Sequence, residues 1–97
     1  MKIVSFEDVE AKGYEICFIH SGCDDKSDVV ILDINTIFDY EEKKHDLCNE
    51  KYTSISIVDD PEDYDAFKNF GIDTWIKRDE MDKLPNLLDD IKKQMGL

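Results

Sequence analysis

The chain has 97 residues, enough for one domain with a thin core. Twelve Lys and Arg against 24 Asp and Glu give a net charge of −12, which excludes a phosphate-neutralising nucleic-acid surface and adhesion to an anionic membrane. No apolar run approaches the roughly 18 residues of a membrane span. MKIVSFEDVE lacks the apolar stretch and cleavage pattern of a signal peptide, so one cytoplasmic domain over residues 1–97 is expected.

Five short runs rich in Ile, Val and Phe read as strands in chain order: Ile3–Phe6, Ile16–Ile19, Val29–Leu32, Ile55–Val58 and Trp75–Ile76. Most are continuous rather than alternating, as in strands covered on both faces. The segment from Phe38 to Tyr52 reads as a weak helix, because charges break its apolar face. A second helix starts at Asp60-Pro61-Glu62-Asp63, with Asp60 as N-cap and the acids at the positive helix end. Tyr64, Phe67 and Phe70 follow at helical spacing, and Gly71 terminates it. The last helix carries the stripe Leu84, Leu87, Leu88, Ile91 and Met95, and Pro85 puts its start near Asp82.

Strands alternating with helices imply an α/β fold with a mostly parallel sheet. The first two connections are short: eight residues, Glu7–Tyr14, and nine, His20–Asp28. A parallel crossover usually takes a dozen or more. The expectation is therefore an open five-stranded sheet of order 2-1-3-4-5, with the second strand antiparallel as a hairpin partner of the first. An all-parallel sheet with one-turn connections is the alternative.

Cys17, Cys23 and Cys48 are odd in number and form no C-x-x-C, a usage that suits a reducing cytoplasm better than a disulfide scaffold.

Four stretches are similar, in order, to those of response-regulator receiver domains. Met1-Lys2-Ile3-Val4-Ser5-Phe6-Glu7-Asp8 resembles the receiver opening, an apolar strand ending in an acidic pair. Gly13-Tyr14-Glu15-Ile16 resembles the lead into the second strand. Asp28-Val29-Val30-Ile31-Leu32-Asp33-Ile34-Asn35 resembles the third strand with its phospho-accepting aspartate. Gly71-Ile72-Asp73-Thr74-Trp75-Ile76-Lys77-Arg78 resembles the approach to the family lysine. The resemblance spans the chain and implies a flavodoxin-like receiver fold with helices one and two missing or vestigial.

Ligands of open α/β sheets sit at the carboxyl ends of the strands, where clustered carboxylates can hold Mg²⁺. The resemblance implies Asp33 as phospho-acceptor, with Glu7, Asp8, Asp33 and the Asn35 carbonyl as metal ligands. Lys77 or Arg78 would touch the phosphoryl group, and a histidine kinase or a downstream regulator would be the partner. This sequence also departs from the family. Val58 or Asp59 stands where receivers have the Thr or Ser that binds a phosphoryl oxygen. Valine cannot donate a hydrogen bond, and Asp59 would repel the anion. The switch aromatic falls on Trp75. These departures favour a pseudo-receiver acting through protein contacts, not an enzyme. The apolar edge left by the missing helices favours a homodimer or a stable complex.

Three rival readings remain at this point. His20-Ser21-Gly22-Cys23 and His45-Asp46-Leu47-Cys48 share H-x-x-C spacing, so His20, Cys23, His45 and Cys48 form a candidate zinc set. Size and charge also suit a small acidic inhibitor or nucleic-acid mimic at a basic site. Leu32–Ile37 is faintly similar to the nucleophile strand of haloacid-dehalogenase phosphatases. Asn35 stands where that family has its second aspartate, which sets this last reading aside.

Overall fold

A computed structural model describes residues 1–23 and 26–97. Five strands form one all-parallel sheet: β1 (Ile3–Ser5), β2 (Ile16–Phe18), β3 (Ser27–Asp33), β4 (Cys48–Val58) and β5 (Thr74–Lys77). Their order is β2-β1-β3-β4-β5. Three α-helices accompany them: α1 (Ile37–Leu47), α2 (Asp63–Asn69) and α3 (Leu84–Met95). Among the described residues no helix is long and apolar enough to cross a membrane.

The strand order expected from the sequence is the order observed, but the direction of the second strand is not. β2 runs parallel to β1, with Ile3, Val4 and Ser5 opposite Ile16, Cys17 and Phe18. The hairpin expectation is thus corrected. Both strands have only three residues, so the return path is about 10 Å, and a short loop covers it. A tight turn at Ala11–Tyr14 shapes that loop, closed by the Tyr14 amide on the Ala11 carbonyl at 3.1 Å. Gly13 takes φ +87°, the left-handed value such a turn demands of its third residue.

Residues of this loop do the covering that a helix would otherwise do. Ala11 is buried, and Val9 and Tyr14 pack against the same apolar layer as α3. That layer joins Ile3, Val29, Ile31, Ile55, Ile57 and Ile76 of the sheet to Leu84, Leu88 and Ile91 of α3. The Tyr14 hydroxyl donates to Asp89 of α3, which ties the loop to the helix. The hydrogen bond to that carboxylate raises the Tyr14 pKa.

On the opposite face Val4, Phe6, Val30, Leu32 and Val58 meet Ile37, Tyr40 and Phe67 of α1 and α2. Ile19 and Cys23, from the connection between β2 and β3, extend this second layer. Among its described residues the connection holds a 3₁₀ turn, Ile19–Ser21, and no α-helix. Cys17 and Cys23 are joined by a disulfide across it. The cysteine usage reads as unlike a disulfide scaffold, yet the odd count conceals one bonded pair, and Cys48 is free.

Two boundaries also move. α1 ends at Leu47, and Cys48–Tyr52 extends β4 instead of the helix. Polar Asn49-Glu50-Lys51 lies where the β3–β4 register shifts, between the Ser27–Cys48 and Val29–Thr53 pairs, and the Tyr52 hydroxyl meets that of Tyr40 at 2.7 Å. α2 begins at Asp63, not Asp60. A turn comes first, in which the Asp63 carboxylate accepts the Asp59 and Asp60 amides and Asp60 accepts that of Glu62. At its other end the Gly71 and Ile72 amides donate to Lys68 and Phe67, with Gly71 at φ +69°. That is the glycine-terminated helix end the sequence implies.

Candidate functional site at the carboxyl edge

Four strands deliver ionisable groups to one end of the sheet. β1 leads into Glu7, β3 ends at Asp33, β4 leads into Asp59 and β5 leads into Arg78. Chain direction explains the convergence: in a parallel sheet every strand releases its last residue at the same edge.

Arg78 is the centre of the group. Its Nη1 donates to Glu7 Oε1 at 2.7 Å. Nε and Nη2 donate to the two Asp59 oxygens at 2.8 and 3.1 Å. Nη2 also reaches Asp33 Oδ2 at 3.4 Å. One planar guanidinium thus serves three carboxylates from three strands, an arrangement its fork of donors allows and a lysine ammonium does not. The hydrogen bonds to Asp59 and the one to Glu7 raise the Arg78 pKa further above its usual range. The same hydrogen bond from Arg78 holds the Asp59 carboxyl below its ordinary 3.8.

Asp33 is only 3% exposed, as its place after Val-Val-Ile-Leu suggests. Its Oδ1 accepts from the Thr36 amide at 3.0 Å and the Thr36 hydroxyl at 2.9 Å. Thr36 Oγ1 in turn accepts from the Asp33 amide at 3.0 Å. This reciprocal turn launches α1, so Asp33 has a structural task at the head of that helix. Both of its oxygens are engaged.

Glu7 is positioned by Ser5, whose buried Oγ accepts the Glu7 amide and donates to the Glu7 carbonyl. Glu7 Oε2 is enclosed and has no hydrogen-bond partner among the described residues.

The remaining candidates fall outside this group. Asp8 and Asn35 are exposed and make no contact with Arg78. Lys77, the last residue of β5, is also exposed and takes no part, so Arg78 is the cation that reaches the acids. Val58 is buried against α2, and Asp59, the next residue, supplies the side chain at the end of β4. Trp75 lies on β5 with its ring edge-on to Tyr64, centroids 5.1 Å apart.

Among the described residues no three His, Cys, Asp or Glu side chains converge as metal ligands. Arg78 stands between Glu7 and Asp33, two of the carboxylates that would face a Mg²⁺ ion, and Asp8 and Asn35 lie outside the group. The zinc set is not assembled either. Cys23 is bonded to Cys17, and Cys48 is buried at the start of β4, its thiol pushed up to about 11 by burial.

Sequence reasoning offered Lys77 or Arg78 as a phosphoryl contact and missed the ties of Arg78 to three acids. It also missed Ser5 and Thr36. The S-x-E of Ser5–Glu7 and the D-x-x-T of Asp33–Thr36 are the local signals that could have found them.

No protein-family model, curated protein or solved structure matches the chain.

Proposed function

We propose that this chain is a receiver-like regulatory module that works by binding another protein and does not depend on phosphorylation. One observation carries the reading: the Arg78 guanidinium fills the space among Glu7, Asp33 and Asp59. A phospho-accepting aspartate needs a free oxygen, a cation shared with the incoming phosphoryl group, and room for that group. Here Asp33 has committed both oxygens, and the neighbouring cation is part of the chain. Three carboxylates against one guanidinium also leave the edge negative, which opposes a phosphoryl anion.

Protein contact is the remaining route for a receiver-like chain, with a histidine kinase or a downstream regulator as the partner class. Trp75, exposed on β5, pairs with the partly buried Tyr64 of α2, and such aromatic side chains anchor interfaces. Such a module would sit in the cytoplasm, alone or as a homodimer.

The test is Trp75 fluorescence during a Mg²⁺ titration, followed by beryllofluoride as phosphoryl mimic. The reading expects a flat trace in both steps. A saturable Mg²⁺ response, with a second change that disappears in Asp33→Asn, would overturn it.

A further inference from the structure

We propose that the Cys17–Cys23 disulfide is a redox-operated clasp on the free edge of the sheet, which a dithiol reductant opens while the rest of the domain stays folded. The proposal is independent of the reading of the Arg78 site.

The placement of the bond comes first. Cys17 is the middle residue of β2, an edge strand of three residues whose only neighbour is β1. Val4, opposite Cys17, faces the α1 and α2 layer, so Cys17 stands on that face too. No α-helix packs between β2 and β3 among the described residues. Ile19 and Cys23 cover the spot instead, and the disulfide pins their loop to the strand. An edge strand with one short ladder and no covering helix is a segment of low local stability once its covalent tie is cut.

The sulfurs are also within reach of a reductant. Both cysteines are half-buried, and both line an open pocket of about 390 Å³ shared with Met1, Lys2, Ile16 and Gly22. The opened form has somewhere to put its protons. Cys23 Sγ lies 3.4 Å from the Phe18 carbonyl oxygen, and Cys17 Sγ lies 3.8 Å from that of Gly22. After reduction each thiol can donate to a carbonyl already beside it, a weak contact in place of a covalent one.

The rest of the sheet does not depend on β2. β1 is buried and paired along β3, and β3 pairs with β4 over most of its length. Both core layers lie mainly on β1, β3, β4 and the three helices. Opening the clasp leaves the unit of β1, β3, β4 and β5 intact and frees roughly residues 15–23, beyond the Tyr14 tie to α3.

The exchange balances in the usual way. A thiolate of the external dithiol attacks one sulfur and the S–S bond breaks. Its second thiol then closes the reductant's own disulfide, and Cys17 and Cys23 leave as two thiols. Two electrons and two protons pass to the protein. Reoxidation by any disulfide of higher potential reverses the step.

Cys48 makes the test countable. The native chain is treated with dithiothreitol, trapped with iodoacetamide and weighed. Untreated protein should take no label, and treated protein should take two, leaving buried Cys48 unmodified. Amide exchange on the treated sample should quicken over residues 15–23, on the order of tenfold or more, and stay unchanged in β3, β4 and α3. The double variant Cys17→Ser/Cys23→Ser should show the same exchange pattern without reductant. Three labels, or faster exchange throughout, would mean the bond staples the whole fold and would overturn the proposal. No label, or two labels with no local change in exchange, would overturn it equally.

Discussion

Arg78 grips both carboxylate oxygens of Asp59, through Nε at 2.8 Å and Nη2 at 3.1 Å, and so fastens the end of β5 to the end of β4. β4 and β5 are already ladder neighbours over four residues. The ion pair extends that pairing one step beyond the backbone hydrogen bonds. Glu7 and Asp33 then draw β1 and β3 into the same clamp.

Replacing Arg78 with methionine keeps most of the stem and removes the charge. It leaves Asp33, buried at 3% exposure, without its cation. Breaking a fully buried pair costs about 3–5 kcal/mol, but Arg78 is 40% exposed, so solvent screening reduces the expected loss to about 1–2 kcal/mol. Urea denaturation at neutral pH measures it. Mg²⁺ should recover part of the loss in this variant and do nothing for the parent chain.

Acid should dissolve the same clamp. The Asp59 carboxyl is held below its ordinary 3.8, first by the hydrogen bond from Arg78. A depressed carboxyl pKa stabilises the folded state above the ordinary value and stops doing so as pH falls through the folded value. The stability gap between the parent and Arg78→Met should therefore be constant above about pH 4 and shrink below it. Denaturant midpoints across an acid series would show this. A gap that widens on acidification would refute it.

Thr36 should matter more than a turn residue usually does. Thr36→Val deletes the hydroxyl that accepts the Asp33 amide and donates to the Asp33 carboxylate. The expected cost is about 1–2 kcal/mol, or roughly 4–8 °C in melting temperature for each kcal/mol. Thr36→Ser retains the hydroxyl and should lose little.

α3 offers a contrast between neighbours. Leu88 is fully buried against the sheet, whereas Leu87 is only partly covered. Leu88→Ala should cost about 2–5 kcal/mol, and Leu87→Ala appreciably less. Parallel denaturant titrations would separate the two.

The features legible in the sequence were those set by local pattern. Continuous Val-Val-Ile-Leu announced a strand covered on both faces, and the α3 stripe announced a helix lying on one layer. Asp33 was placed at the sheet edge because its strand stops there. What escaped depended on distances through space. The direction of β2 was misjudged because the length of a crossover was weighed without the length of the strands it joins, and three-residue strands need little return path. The Cys17–Cys23 bond escaped because parity of a count says nothing about which cysteines meet. Arg78 looked like a displaced family lysine. Only the convergence of four parallel strands shows it touching three acids at once.

A guanidinium attached to its own chain differs from a bound ion in one respect that bears on how the edge behaves in a cell. A bound ion has a free concentration, and its occupancy follows that concentration. Arg78 has none. Its local concentration is fixed by the few bonds between β5 and the edge, whatever the surrounding medium contains. On the proposed reading the edge is therefore buffered against changes in divalent cations.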